Sequence, residues 1–508
     1  MASIPIRLLS LLLATLVLSG CYLHRDASAL RVTVAVPELP AGLDPQAQER
    51  TDARYLHAAL FDALTWIDEK GEVQPALAVS WKPLGPTTWE IKLREGVRFS
   101  TGEEFNAYTV AYNVRRVLRR DLHSPVLQYV PTLIRANPRD LYTVVIFTRR
   151  TDPLLPRRLA SLYMVPSDYL QRVGEEEFAR APVGTGPWKV TSYEPGVQLT
   201  LEAHKGSWRG PPQLRYVDLR TVPAESDRAQ ALLDGTADMA LDLNIEHWNP
   251  LVEHGFNLEE VPVAAAKFIV LDTFADDAPL GDVKVRQALN YAVNKEHLVR
   301  DVVGTGTPLE GQAVGREGYG WSPRVQFTYP YDPAEAQRLL AEAGFSAGFG
   351  LRIYYPESPD GSVARELQSI VDDLARVRVR ATLVPVNRAS YVQRRQGGSL
   401  TPAYYDTFPY YPGLDASAVM DMFGLEKTDV LQPTYDNDDF DEIYKLTRTE
   451  MNPSLRLQAL QVSMGILAEY PPGIYLYQPS RIHAMRRAIY DFKALPNLLI
   501  DWDRLSRQ

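Results

Sequence analysis

Apolar residues at Val285, Ala288, Leu289 and Ala292 fall at i, i+3, i+4 and i+7, the spacing of one helical face. Asp282 is placed to cap that helix and Gly304 to end it. Asp332-Pro333-Ala334-Glu335 predicts a second start, with an acid at the cap and proline at the first helical position. Leu339, Leu340 and Ala343 form its apolar face and Gly344 stops it. A third helix begins at Asn452-Pro453, carries Leu457, Leu460, Met464, Leu467 and Ala468 on one stripe, and meets Pro471-Pro472. Between them the period switches to two at Leu351, Ile353 and Tyr355, and again at Val377, Val379, Ala381 and Leu383. The stretch from 364 to 375 separates these strands and reads as a helix. Strand, crossover helix and strand predict a parallel or mixed sheet. Nearer the N-terminus, Leu30–Val36, Thr88–Leu93 and Tyr142–Phe147 are β-rich runs bounded by turn or charged residues. Asn106–Arg119 reads as a helix whose Arg115, Arg116, Arg119 and Arg120 form a solvated basic face. The chain is therefore α/β, with strands from one end to the other and no internal repeat.

The first 21 residues follow a different pattern. Arg7 and the α-amine precede an apolar run from Leu8 to Leu18, too short for a spanning helix and right for a signal-peptide core. The run ends in Leu18-Ser19-Gly20-Cys21, which resembles the bacterial lipobox, and Cys21 is the only cysteine of the chain. Residues 1–20 are thus expected to be a lipoprotein signal peptide, with acyl chains on Cys21 holding the protein on a membrane. Residues 21–29 read as a short polar linker. No later segment offers 18 uninterrupted apolar residues.

With 508 residues, 45% hydrophobic and 23% charged, the body of the chain has globular composition. A net charge of −9 argues against a general grip on nucleic-acid phosphates. One cysteine excludes an intramolecular disulfide and a cysteine-rich metal cluster. The sequence contains no HExxH, GxSxG or GxxxxGK[ST], its eight histidines are dispersed, and no cofactor is expected. Gly184-Thr185-Gly186 and Gly304-Thr305-Gly306 read as turns rather than phosphate loops. A binding protein is favoured over an enzyme. Residues 404–415 (YYDTFPYYPGLD) concentrate five aromatics, two prolines and two acids, either as a core strand and turn or as a ligand-lining loop.

Six blocks then carry a resemblance. They are Leu43-Asp44-Pro45, Trp89–Ala107 (WEIKLREGVRFSTGEEFNA), Val183–Trp188 (VGTGPW), Ser207–Gly210 (SWRG), Asp282–Val293 (DVKVRQALNYAV) and Tyr331–Phe345. In this order they resemble the large extracytoplasmic solute-binding proteins of ABC importers for oligopeptides, dipeptides and nickel, family 5. The resemblance implies a two-lobed periplasmic-binding-protein fold of the class II type, with an extra domain inserted in the first lobe. The implied layout is lobe I from 30–53, 185–267 and 480–508, the additional domain from 54–184, and the other lobe from 268–479. It also implies a monomer that captures a peptide or peptide-like solute between its lobes. An ABC permease and ATPase would be its partners.

Many peptide-binding members carry W-x-x-D-Y-x-[DE]-P, whose first aspartate pairs with the peptide ammonium. The corresponding stretch here is FPYYPGLDAS, which puts Pro412 at that aspartate and Asp415 at the second acid. A small shift makes Asp415 the ammonium partner. The resemblance thus gives Asp415 as the expected ligand-ammonium partner, with Asp406 as its substitute. Tyr404, Phe408, Tyr410 and Tyr411 are expected to line the cleft, and Glu38 and Leu43 to border it from the first lobe. A sensory or envelope-scaffold lipoprotein that kept the fold without transport is the alternative.

Overall fold

A computed structural model describes residues 30–47, 54–275, 278–325, 328–424 and 434–508. The signal peptide, Cys21 and the linker lie outside the described residues. Three sheets organise the rest. The first has seven strands in the spatial order Phe256–Pro262, Ser480–Arg486, Met239–Leu243, Arg31–Val36, Tyr216–Thr221, Gln198–Ala203 and Trp188–Glu194. Arg31–Val36 lies at its centre, parallel to both neighbours, with Val32, Val34 and Val36 fully buried. The second sheet orders Arg380–Val386, Gly350–Pro356, Ala403–Pro409, Ala265–Leu271 and Gly473–Tyr475. The third is a four-stranded antiparallel sheet built from Ala78–Gly85, Thr88–Leu93, Thr143–Thr148 and Leu133–Asp140. It sits in the sequence between the first and second strands of the seven-stranded sheet to be reached, so it is an insertion. The structure is two-lobed α/β with an inserted unit.

The strand–helix–strand reading is realised as Gly350–Pro356, Ser362–Arg376 and Arg380–Val386, with the two strands parallel. The second strand pairs only from Arg380, because Arg378 takes a positive φ of 67° at the turn. The predicted caps form: Asp282 Oδ1 accepts from the Lys284 N–H at 2.8 Å, and Asp332 Oδ1 from Ala334 and Glu335. Asn452 does the same for Pro453–Glu469. The helix after Asp282 stops at Ala292 rather than running on to Gly304. The Asn294 N–H turns to Asp373 Oδ2 (2.9 Å), and its side chain caps a new short helical stretch at His297. Gly304, with φ of 84°, closes that second stretch.

One expectation is corrected. Arg116 is not part of a solvated face; it is 1% exposed. Its Nη1 and Nη2 donate to both oxygens of Asp44 at 3.2 and 2.5 Å, and Nη1 also to Gln46 Oε1 at 2.9 Å. Burying a guanidinium is costly unless its charge is met, and here the forked Asp44 carboxylate and Glu175 meet it at the two Nη atoms. The aspartate of the Leu43-Asp44-Pro45 turn therefore clamps the first lobe to the helix Ala107–Val117 of the insertion.

One hydrophobic core runs without a break from Val32, Val34 and Leu219 of the first sheet to Trp89, Val110 and Ile146 of the insertion. The second lobe has cores on the two faces of its sheet, one of which also takes in Ile67 of the insertion. Two chain crossings connect these bodies. The strand Phe256–Pro262 of the first sheet passes through Val263–Ala264 directly into Ala265–Leu271 of the second. The return runs from Gly473–Tyr475 to Ser480–Arg486. The crossings lie side by side: the Val263 N–H donates to the Pro479 carbonyl (2.8 Å), and Gln478 Nε2 to the Val263 carbonyl (3.0 Å). The sheet-to-sheet change falls at Val263–Ala264, ahead of the expected 267–268, because Ala265 already pairs with Pro409. Two adjacent crossings between one sheet and the other are the geometry of a hinge.

Candidate functional site

A cleft of about 470 Å³ opens where the first lobe, the insertion and the second lobe meet. Three other hollows differ in position or size. A void of about 20 Å³ beside the hinge has room for little more than water. A groove of about 800 Å³ is lined by the insertion alone, and one of about 300 Å³ by the first lobe alone. Of these four, the 470 Å³ cleft joins both lobes, and its volume suits a small solute.

The second lobe contributes Pro412 to this cleft. The insertion contributes Asp62 and Trp66, and the first lobe Trp208, Arg209, Asn497 and the run Asp501-Trp502-Asp503. Asp62 is 5% exposed; its Oδ2 accepts from Trp208 Nε1 and from Thr185 Oγ1, both at 2.8 Å. The Thr185 of the GTG turn thus serves to hold a carboxylate, not a phosphate. Arg209 places Nε 3.5 Å from Asp62 Oδ1 and 3.4 Å from Asp503 Oδ2, and donates Nη2 to the Ala58 carbonyl at 2.8 Å. Arg94 lies over the Trp208 ring at 4.4 Å. Trp502 is 1% exposed and ties its indole N–H to the Tyr55 carbonyl. Burial pushes the Asp503 carboxyl up to about 6; Arg209 opposes the rise, while Asp501 and Asp62 add to it.

The residues singled out in the sequence lie around and behind this cleft rather than in it. Ala403–Pro409 is a strand of the second sheet, and the stretch around it supplies core. Tyr404 is 6% exposed, and Phe408 packs on Phe268 and Phe423 with ring centroids 5.4 and 5.6 Å apart. The Tyr410 hydroxyl donates to Glu317, and accepts from the Gly315 N–H at 2.9 Å. Its neighbour Gln478 is the residue that ties the two hinge crossings together. These rings therefore line the interior in this arrangement, not the cleft. Tyr411 is half-buried, and its N–H reaches the Ala264 carbonyl of the hinge at 3.3 Å. Asp406 pairs with Arg395 at 2.5 Å; burial pushes it up to about 6, with Arg395 opposing.

Asp415 is placed differently from its expected role. Arg456 grips both of its oxygens at 2.8 Å, Arg157 Nε stands 3.3 Å from Oδ2, and the Ser417 N–H and Oγ donate to Oδ1. Burial pushes this carboxyl up, but the two guanidiniums outweigh it and hold Asp415 below the usual carboxylate range. No acceptor capacity is left for a ligand ammonium here. Arg157 belongs to the insertion and also donates to the carbonyls of Gly71 and Gly413, so this cluster joins insertion to second lobe. Leu43 is 1% exposed and donates its N–H to the Ala179 carbonyl; Glu38 accepts from the Tyr55 hydroxyl at its carbonyl. Neither is on the cleft wall.

Asp62, Asn497, Asp501 and Asp503 line the cleft without any motif in the sequence to mark them. Trp208 and Arg209 were visible within Ser207–Gly210, though as markers of fold. The C-terminal acids had no local signal, since only the return of the chain to the first lobe brings them beside Arg209.

Residues 72–428 match the model of the bacterial extracellular solute-binding proteins, family 5 (middle), and the chain belongs to that family. It is 26% identical over 507 residues to the glutathione-binding protein GsiB of Escherichia coli K12, with 96% of each chain covered. Among solved structures it is similar to HbpA2 from Haemophilus parasuis, with a TM-score of 0.84, 20% identity, and coverage of 94% of this chain and 100% of that one. It is also similar to the murein tripeptide binding protein MppA in an unliganded open form, with a TM-score of 0.83, 17% identity, and coverage of 95% and 98%. Among the described residues no helix is long and apolar enough to cross a membrane.

Proposed function

We propose that this protein is an extracytoplasmic receptor that captures a peptide or peptide-like solute between its lobes and delivers it to an ABC importer. The observation that carries this reading is the 470 Å³ cleft between the first lobe with its insertion and the second lobe, joined by paired crossings at Val263–Ala264 and Tyr475–Ser480. Such a hinge permits capture and release, provided the open state stays accessible. The cleft volume suits a short peptide, and its mixed wall of rings and charges suits a polar one. The glutathione and murein tripeptide in the names of GsiB and MppA support the same class of solute.

Cys21 is the lipid anchor in this reading, with residues 22–29 as the tether. The Cys21→Ser protein is expected in the soluble fraction, while the parent stays with membranes. Equal fractionation of the two contradicts the anchor alone. The ligand reading is tested by titrating the purified mature protein with a panel of di- and tripeptides, including glutathione, in a calorimeter. Micromolar or tighter binding of at least one peptide is expected. Heatless titrations across the panel contradict it.

A further inference from the structure

We infer that the insertion acts as a lock on the second lobe, with Arg157 as the contact that must be released before the lobes can move apart. This goes beyond the receptor reading and needs no ligand.

The insertion shares one core with the first lobe, so those two parts move together about the crossings at Val263–Ala264 and Tyr475–Ser480. It also grips the second lobe at residues outside those crossings. Arg157, with 6% of its side chain exposed, donates Nη1 to the Gly71 carbonyl of its own body at 2.6 Å and to the Gly413 carbonyl of the other at 2.5 Å. Its Nε stands 3.3 Å from Asp415 Oδ2, and its guanidinium lies over the Tyr319 ring at 4.4 Å. The turn at Gly71 fits against the same place: its φ is 72°, and a Cβ there would stand 2.7 Å from the Glu317 carbonyl oxygen. Ile67, at the end of the strand Thr65–Ile67 before that turn, is buried in a core of the second lobe. Next to Arg157, the Arg158–Asp152 pair of the insertion faces the Arg448–Asp421 pair of the second lobe. A guanidinium with partners on both bodies cannot keep them all when one body rotates against the other.

The ion pair is built to release. Asp415 keeps the Arg456 fork and both Ser417 donors when Arg157 leaves, so no buried carboxylate is stranded. The contact also bears on the cleft. Pro412, the residue of the second lobe on the cleft wall, lies between two tied neighbours. The Tyr411 N–H reaches the Ala264 carbonyl of the hinge, and Arg157 holds the Gly413 carbonyl. This loop is therefore fastened to the hinge at one end and to the insertion at the other, and movement of the lobes must undo the second fastening.

The test is small-angle X-ray scattering from the Cys21→Ser protein with no peptide added. This parent is expected to scatter as the present arrangement does, with a radius of gyration of about 23 Å for a chain of this size. Arg157→Ala removes the grip and Gly71→Ala wedges the seam; each is expected to raise the radius by about 1 Å. Arg119→Ala, on the surface of the insertion, is expected to leave it unchanged. A parent already wider than this arrangement overturns the inference. So do variants that keep the parent's circular dichroism and scatter as the parent does. If Arg157→Ala does not fold, Gly71→Ala decides alone. Peptide binding with no shift in the scattering of the variants overturns the lock and leaves the receptor reading standing. A shift in scattering with no peptide bound in the calorimeter does the reverse.

Discussion

Two aspartates, one on each side of the hinge, are handled in opposite ways. Asp415 is gripped by a forked Arg456, approached by Arg157 and capped by Ser417, and it titrates below the usual carboxylate range. Asp503 shares a single guanidinium atom with Asp62 and is pushed up to about 6. The first has given all its lone pairs to the protein and acts as architecture. The second lies on the cleft wall with 26% of its side chain exposed. Acidity of a segment in the sequence does not distinguish these cases; the supply of donors around each carboxylate does.

Removing Asp415 should have the largest effect, because it strands two buried cations. Asp415→Ala is expected to cost about 3–5 kcal/mol in urea unfolding. A loss below about 1 kcal/mol would break the contrast from its architectural side. Arg157→Ala leaves the Arg456 fork intact, so a smaller loss of about 1–2 kcal/mol is expected, with Arg456→Ala costing more. Equal losses would mean that the fork is not what holds Asp415.

The pH dependence sharpens the comparison. Asp503 has a folded value raised above that of an unfolded aspartate, so its charge opposes folding above about pH 6. That penalty is relieved as pH falls from about 6 towards 4, where the unfolded chain still binds fewer protons. Asp415, with a lowered value, contributes stability that is present above the unfolded aspartate range and lost as pH falls below it. Asp503→Asn should therefore stabilise the protein at pH 7 by about 1 kcal/mol, and should remove that part of the slope between pH 6 and 4. An unchanged slope would show Asp503 to be fully neutralised by Arg209. The smallest effect is expected at Arg119, two residues past the end of the helix that carries the buried Arg116, 43% exposed and paired with Asp121 and Glu175. Arg119→Ala should change stability by about 0.5 kcal/mol or less, as surface pairs do.

Much of the scaffold was legible because local chemistry specified it. Asp282, Asp332 and Asn452 announce helix starts through side chains that can reach their own N–H groups. The alternation at 351–355 reports a strand with one face buried. The site was legible only in part. Aromatic density at 404–411 did mark an important element, but hydrophobic rings serve a core as readily as a pocket, and Phe408 and Tyr410 went to the core. Arg116 looked like its neighbours in sequence, and only Asp44, 72 residues earlier, determines that it is buried. Asp503 could not be selected from among the chain's carboxylates without knowing that Arg209, Asp501 and Asp62 lie around it.

The central claim is that the interlobe cleft encloses a polar, peptide-like guest. Native mass spectrometry of the mature protein, purified without denaturant from its own host, tests it most directly. A population heavier than the polypeptide by one small molecule is expected, which denaturation releases and fragmentation identifies as bearing peptide bonds. A protein that flies at its bare mass, and stays there after incubation with a hydrolysate of mixed peptides, would contradict the account.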